Sequence, residues 1–511
     1  MAEPASRSRR DTRARRGRVI EQMDWRQLRN PYHAVRVITD DQLETLHRAS
    51  LDILETLGIR VALPEARENF RRAGALVDED TLVVRLGRDI VEHALHSLPG
   101  SVTMTPRNAQ RAITIGHDML CFASVLGPPY CSDLEKGRRD GNWTDYCDLL
   151  RLAQFFNIIH LVGGSPVEPL DLPVPTRHLD ATLAMLTLTD KVPYVFCQSQ
   201  RRIHDVFAMI AISRGISLEE LASTPSTYSI INTNSPLQYD APMATGVIEM
   251  ARFGQPILIT PFTLAGATTP ATLAGAMAMC NAEVLFGVTL SQLTRPGAPV
   301  VYGCATAAVD MKTGAPAFAM PEYCKAAQIA GQLARRYGMP LRSSNFCSSN
   351  TVDAQAAYEA QGSTWAAIMG GVNLLMHAAG WLEGGLCASF EKFVVDVEIL
   401  QMMASYLEPT TIDSDTLGLS EMAEVGHGGH FFGTGRTIAS FETAFYRPIL
   451  SNTRNYGSWV EQGSQDAMQR SHEIYKHALR EYEQPHLDAD TKEALEAFVA
   501  WRKSEGGAPL V

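Results

Sequence analysis

From residue 118 onward the chain alternates short apolar runs of β-forming residues with longer stretches of helical periodicity, and it does so eight times. The runs are 118–125, 158–163, 192–197, 227–232, 256–260, 299–303, 340–345 and 371–377. The helical stretches that follow them are 143–156, 176–189, 202–213, 241–253, 270–294, 320–338, 353–370 and 389–406. Strands joined by crossover helices run parallel, so the pattern predicts an α/β fold built on a parallel sheet. Eight strand–helix units are the number that closes a (β/α)8 TIM barrel. An open doubly wound sheet is the other arrangement, but it has no particular reason to stop at eight, and no GxGxxG opens a helix in this chain.

Ahead of the repeat lies a smaller unit. Residues 41–58 read as an amphipathic helix stopped by Gly58, and short helices near 64–73 and 87–97 flank a Val/Leu ribbon at 82–86. The expected organisation is a disordered basic tail (1–25), an N-terminal α-rich cap (26–115), the barrel with C-terminal helices (116–485) and a C-terminal tail (486–511).

A formal charge of −11 argues against a general nucleic-acid binder, which needs a basic face against phosphates. Nine scattered cysteines without a CxxC pair indicate neither a disulfide framework nor a structural zinc site, and suit reduced thiols in a cytoplasm. The N-terminal arginines are not followed by an apolar segment, so no secretory signal is read there. No run approaches the roughly 20 uninterrupted apolar residues of a membrane span.

In a barrel the strand ends share one mouth, whatever their separation in sequence. They bring together Tyr130, Gln198, Asn232, Asn234, Phe262, Tyr302, Cys304, Asn345, Phe346, and His377 with Glu383. The stretch 371–400 is the densest: an apolar run ends in His377, a glycine-broken loop carries Glu383, and Glu391 and Lys392 open a helix. Each of these alone reads equally well as a core histidine or a solvated helix start. Loop 343–355 is longer and more polar than a connection requires, with Asp353 and Gln355 in the next helical turn. Segment 127–141 carries Tyr130, Asp133, Arg138 and Arg139, and reads either as part of the mouth or as a rigid turn with a surface ion pair. Thr268–Thr269–Pro270 starts a helix whose backbone amides could hold an anion. His427 and His430, among five glycines, lack a third ligand in a fixed frame and read as a flexible capping loop.

DLEKGRRDG (133–141), GATTPATLAGAMAMCNAEVLFG (266–287), TRPGAPVVYG (294–303), DMKTGAP (310–316), SSNTVDAQAAYE (348–359), GVNLLMHAAGWLEGGLCASFEK (371–392) and EVGHGGHFFGTGRT (424–437) together resemble the trimethylamine methyltransferase (MttB-like) family. The resemblance runs in family order from about residue 40 to residue 490. It implies a barrel enzyme that moves a methyl group from a methylated amine to the cobalt of a separate corrinoid (cobalamin) protein, with no cofactor bound to the barrel itself. Family members using trimethylamine carry a pyrrolysine, expected within loop 343–350. Only Ser, Asn, Phe and Cys stand there, which points to the branch resembling glycine betaine methyltransferases.

The chemistry divides the same way. A quaternary ammonium already carries its charge on nitrogen, and loss of one methyl to a cobalt(I) nucleophile releases a neutral amine with no proton supplied. The cation needs aromatic faces, each worth roughly 0.5–2 kcal/mol. Tyr130, Phe262, Tyr302 and Phe346 are the expected cage, with Glu383 and Glu391 as negative potential. The carboxylate of a betaine would take donors from His377, Asn345, Gln355 or Asn232. The resemblance favours His377 and Tyr130. The segment HAAG (377–380) has Leu375 where a D-x-H-x-x-G lower-ligand pattern has Asp, so the corrinoid is expected on another protein. A homo-oligomer is the expected assembly. A barrel lyase or hydrolase using His377 and a glutamate as acid and base, and a non-catalytic binder of methylated amines, are the competing readings.

Overall fold

The computed structural model describes residues 20–509, so the expected disorder of residues 1–19 lies outside the described residues. Residues 20–25, assigned above to the tail, are packed onto the body. Ile20 is buried, Gln22 Nε2 donates to the Phe155 carbonyl at 2.9 Å, and the Met23 amide donates to the Gln401 side chain.

Six of the eight expected strands form one curled parallel sheet: β1 (Met119–Phe122), β2 (Ser229–Ile231), β3 (Ile257–Ile259), β4 (Val300–Gly303), β5 (Leu341–Ser344) and β6 (Leu374–Met376). Their order is β2-β3-β4-β5-β6-β1, continued antiparallel by Ile113–Gly116 and Ser101–Met104. The parallel strands are buried on both faces, which is why they read as continuous apolar runs rather than alternating ones. The runs at 158–163 and 192–197 are reduced to isolated parallel bridges, Ala123 with Leu161, Leu161 with Val192, and Tyr194 with Tyr228. Pro193 has no N–H to give a ladder. Gly163 sits where a Cβ would meet the Ser124 carbonyl oxygen at 2.1 Å, so the backbones approach too closely for an ordinary paired strand. The bridges lead from the end of β1 to the start of β2.

The crossover helices are α1 (Trp143–Phe155), α2 (Arg177–Leu188), α3 (Gln200–Arg214), α4 (Ala241–Arg252), α5 (Leu273–Thr294), α6 (Pro321–Arg336), α7 (Ala354–Met369) and α8 (Phe390–Tyr406). Five of the eight start on a side chain that accepts an otherwise orphaned amide: Asn142, Asp240, Thr272, Asp353 and Ser389. Thr272, rather than Thr268 or Thr269, caps α5. Long and apolar enough on length and composition to cross a membrane, α5 has 83% of its most apolar window buried in this fold, where it packs on α4 and the cap.

The expected α-rich cap holds helices at Asp40–Asp52, Pro64–Arg72 and Arg88–His96, but it also holds a sheet. Ile59–Val61, Leu76–Asp78 and Val83–Arg85 are joined there by Gln238–Tyr239, which arrives from beyond β2 and knits the cap to the body. The expected C-terminal tail contains a helix. Past α9 (Ala467–Glu481), α10 (Ala489–Ser504) is capped by Asp488, lies on α2 and α3, and buries Leu495, Val499 and Arg502. The charged residues interspersed along it hide this narrow apolar seam.

Over the carboxyl ends of β6 and β1 sits a four-stranded sheet made of two hairpins, Trp381–Leu382 with Cys387–Ser389 and Tyr130–Asp133 with Gly137–Asp140. Tyr130 lies opposite Cys387 across their parallel seam. Residues 127–141 thus form a hairpin, closed by Asp133 Oδ1 accepting from the Glu135 and Lys136 amides.

Candidate active site

Strand β5 carries a charged residue where a buried strand ordinarily has an aliphatic one. Arg342 is among the largest fully buried side chains, and its Nε and Nη1 have no acceptor. Its Nη2 lies 3.5 Å from His377 Nδ1. Burial brings the guanidinium down to about 10, opposed by the neighbouring Tyr323 and Cys304. An unmet buried N–H costs about 1–3 kcal/mol, and more when charged, so this arrangement persists against the interest of the empty fold.

Two residues on, and therefore on the same face of β5, Ser344 Oγ lies 2.9 Å from His377 Nδ1. His377 follows β6 directly with φ +53°, a left-handed conformation that turns its ring inward and is rare for a non-glycine residue. Burial first, and then the charge of Arg342, hold the imidazole well below its ordinary value, so it is neutral. Arginine only donates. The long contact to Nδ1 therefore uses that atom's lone pair and leaves the proton on Nε2.

Around these polar groups stands an aromatic shell. Phe346 stacks on His377 (5.7 Å between centroids, 26°), meets Trp381 at 5.2 Å, Phe318 at 4.5 Å and Tyr323 at 5.0 Å, while Phe262 meets Phe318 at 5.8 Å. Trp381 also packs on His377 at 4.1 Å, and its buried Nε1–H has no acceptor. Of the expected cage, Phe262 and Phe346 are thereby brought together with His377.

Tyr130 and Glu383 form a neighbouring group. The Arg138 guanidinium lies over the Tyr130 ring, 3.7 Å from its centroid, and its Nε is 3.0 Å from both Glu383 carboxylate oxygens. Gly384, next to Glu383, approaches Phe318, so this group borders the shell. An aromatic face and a carboxylate are already holding a cation here, and that cation is the protein's own.

The other expected residues are engaged elsewhere. Tyr302 faces the helices, its hydroxyl donating to Asn281 Oδ1 of α5 at 3.0 Å; strand alternation sends it away from the strand interior. Asn345 is consumed by the Ala378 carbonyl, Asp396 and Ser363. Gln355 donates to Glu359, whose other oxygen accepts the Ser348 and Ser349 amides and so pins loop 343–355. Glu391 is fully buried, accepting from the Leu134 amide and lying 2.8 Å from His472 Nδ1, while Lys392 pairs with Asp396. Asn232 is exposed just beyond β2, Asn234 closes a turn on Asp240, and Gln198 accepts from Arg202. Cys304 Sγ donates to Thr306 Oγ1 at 3.3 Å, and its thiol is drawn down by the bond from Cys280, the Thr306 hydroxyl and the charge of Arg342. His427 and His430 are exposed, and among the described residues no three His, Cys, Asp or Glu are grouped to hold a metal.

Arg342, Phe318, Tyr323 and Trp381 were not read as site residues. For Arg342 the signal was present, since an arginine in the strand sequence LRSS needs a reason to be inside. Phe318 lies in a loop with no motif, and only the fold brings it to Phe346.

A family model described as trimethylamine methyltransferase (MTTB) matches residues 5–507. The chain is 35% identical over 472 residues to glycine betaine methyltransferase of Desulfitobacterium hafniense strain Y51, covering 92% of this chain and 98% of that one. It is 26% identical over 479 residues to trimethylamine methyltransferase MttB of Methanosarcina thermophila, covering 91% and 96% respectively. The crystal structure of Methanosarcina barkeri monomethylamine methyltransferase (MtmB) superposes with TM-score 0.43 at 9% identity over 87% of this chain and 93% of that one.

Proposed function

The chain belongs to the trimethylamine methyltransferase family, and from that premise we propose that it takes a methyl group from a carboxylate-bearing quaternary amine, a betaine such as glycine betaine, for the Co(I) of a corrinoid on a separate protein. It is a methyltransferase acting on methylated amines, which sets aside the non-catalytic binder. The observation that carries the substrate reading is the buried Arg342, with two unmet N–H groups, beside the shell of Phe346, Trp381, Phe318 and Phe262. A betaine presents the two complements at once. Its carboxylate suits the Arg342 donors and the His377 N–H, at about 1.5–3 kcal/mol for a hydrogen bond to a charged group. Its trimethylammonium suits the aromatic faces. Protonated trimethylamine offers Arg342 no acceptor and adds a second positive charge.

The chemistry the partner's corrinoid supplies is a nucleophilic Co(I), to which the methyl carbon goes while the C–N electron pair stays on nitrogen. The chain's own residues then bind, orient and exclude water. A neutral His377 serves this task, because its Nε2–H can still donate to the carboxylate and the transfer itself needs no proton. An acid–base lyase or hydrolase finds no comparable support, since Glu383 is already held through both oxygens by Arg138.

In this reading the curled sheet closes as a (β/α)8 barrel, with the bridges at Leu161, Val192 and Tyr194 as its two thinnest staves, and the corrinoid protein docks over the mouth. Nine free cysteines, eight of them buried, support a reducing, cytoplasmic setting. The test is incubation of the full chain with chemically reduced cobalamin and, separately, glycine betaine, choline and trimethylamine. Methylation of cobalamin with stoichiometric dimethylglycine is expected from glycine betaine, at a rate at least about tenfold above choline, given one lost charge-assisted bond. Equal rates with choline, or turnover of trimethylamine alone, would overturn the assignment.

A further inference from the structure

Between Leu407 at the end of α8 and Leu450, where the chain is buried again, residues 408–449 make an excursion that buries a single side chain of its own, Thr434. It is not a polar loop. Phe432, Phe441 and Phe445 are 82%, 79% and 88% exposed, and Ile412, Leu419 and Ile438 are more than half exposed. It is folded, with helices at Leu419–Val425 and Gly435–Ser440 and Arg436 paired to Asp415 and Glu421 inside it. Its ion pairs to the body, Glu408 with Arg26 and Arg447 with Glu21, lie at its two ends. It also contains EVGHGGHFFGTGRT (424–437), which the proposed site does not use.

A second bare apolar surface lies where this excursion leaves the body. Tyr406 on α8, Trp365 on α7 and Tyr32 form an aromatic patch, with Tyr32 5.3 Å and Trp365 4.9 Å from the Tyr406 ring, and the exposed Met402 and Tyr358 lie further along the same two helices. The residues of each helix are spaced to share a face, and each of the five is between 38% and 60% exposed. The chain's own excursion does not cover them.

We propose that residues 408–449 are an exchange arm that seats on the Tyr32–Trp365–Tyr406 patch of a second copy of this chain, each copy giving an arm and receiving one about a two-fold axis. Three almost bare phenylalanines at about 200 Å2 each, with the aliphatics beside them, bring the arm to roughly 800 Å2. That is about what one partner contributes to a stable interface, and more than the roughly 300–600 Å2 of the largest apolar patch on a typical monomer. The occupant is a second copy because such an arm needs cover at all times. A corrinoid protein that comes and goes leaves it exposed between visits. Giving and receiving surfaces on one chain are also what an isologous contact requires. This inference stands apart from the identity of the substrate.

The experiment is sedimentation velocity on the full chain, with F432S/F441S/F445S as the arm variant and W365S/Y406S as the patch variant. A dimer or larger even oligomer is expected for the parent chain. Each variant should shift it at least tenfold in dissociation constant toward monomer, with unchanged far-ultraviolet circular dichroism. Should a variant fold poorly, mixing a chain carrying F441C with a differently tagged chain carrying W365C gives an independent reading. An inter-chain disulfide is expected in the mixture and not in either chain alone. A monomeric parent, an oligomer indifferent to the arm substitutions, or an arm-dependent oligomer indifferent to the patch and lacking the mixed disulfide would each overturn the proposal.

Discussion

Arg342 sets a conflict between stability and binding at a single position. A buried cation with two donors unmet is a burden on the ligand-free fold, and replacing such a group with an apolar side chain of similar length is often neutral or stabilising. Arg342→Met is therefore expected to leave the urea midpoint of the free protein unchanged or higher, while lowering kcat/KM for glycine betaine by roughly 10- to 150-fold, the value of one charged hydrogen bond. Glycine betaine at about 100 times Kd should stabilise the parent by about 2.7 kcal/mol and the variant hardly at all. A variant that is strongly destabilised yet still stabilised by betaine would make Arg342 a structural cation. Histidines give the residue scale its pH dependence. His160 is fully buried, with Nδ1 accepting from the Phe122 amide and Nε2 donating to the Arg26 carbonyl, and burial brings it down to about 4. The unfolded chain takes up this proton near 6.5 and the folded chain only near 4, so the contribution is complete above 6.5 and is lost as pH falls toward 4. The loss is roughly 3 kcal/mol over that window. His377 acts in the same direction. Unfolding free energies from urea titrations at pH 7, 5.5 and 4.5 should fall with acid, and His160→Gln should flatten the fall. An unchanged slope would mean that another group carries it.

Among the elements, α8 braces the mouth from behind. Asp396 takes Lys392 on one oxygen with Asn345, and the Gly380 amide at 2.8 Å on the other, so one buried carboxylate ties the loops after β5 and β6 to one helix. Asp396→Ala leaves Lys392 buried without its partner and should cost about 3–5 kcal/mol in urea unfolding, whereas Lys392→Met with Asp396→Leu should recover most of it. Recovery of stability without recovery of methyl transfer would place the brace's value in positioning His377 and Phe346. This brace also shows why the elements were easier to read than the site. All eight crossover helices fall within a few residues of their expected limits, because periodicity and caps are local properties. What Asn345, Gln355 and Glu391 do was not legible, because a polar residue at a strand end has the same sequence signature whether it faces a ligand or fastens a loop. Tyr302 was misplaced by one step of strand alternation. That His377 and Phe346 are neighbours was legible because each follows an apolar run at the end of its own strand, whereas the place of Phe318 was not, because only tertiary packing brings its loop there.

Across the whole molecule, the first and last described segments fasten the body. The segment from Ile20 reaches α1 and α8, and α10 lies across α2 and α3, the helices nearest the isolated bridges at Leu161, Val192 and Tyr194, where the sheet has its sparsest backbone pairing. The attachment is specific. Arg502 grips Asp205 of α3 through Nε on Oδ1 at 2.6 Å and Nη2 on Oδ2 at 3.2 Å, and His178 Nε2 of α2 lies 2.9 Å from the same Oδ2. Arg202 is in turn satisfied by the Ala508 and Pro509 carbonyls. Ending the chain at residue 485 removes Arg502 and those carbonyls together, leaving Asp205 and Arg202 half-paired on a surface that also loses the apolar cover given by Leu495 and Val499. If α10 is a clasp over the weakest staves, the loss will not be uniform. Amide hydrogen exchange should quicken first at 159–163 and 192–196, while β3, β4 and β5, each paired on both sides, keep their protection. Arg502→Met should show the same pattern more weakly. Exchange that rises evenly through the sheet would make α10 a general contributor to stability, and exchange that stays unchanged at both segments would mean that the two thin staves hold without it.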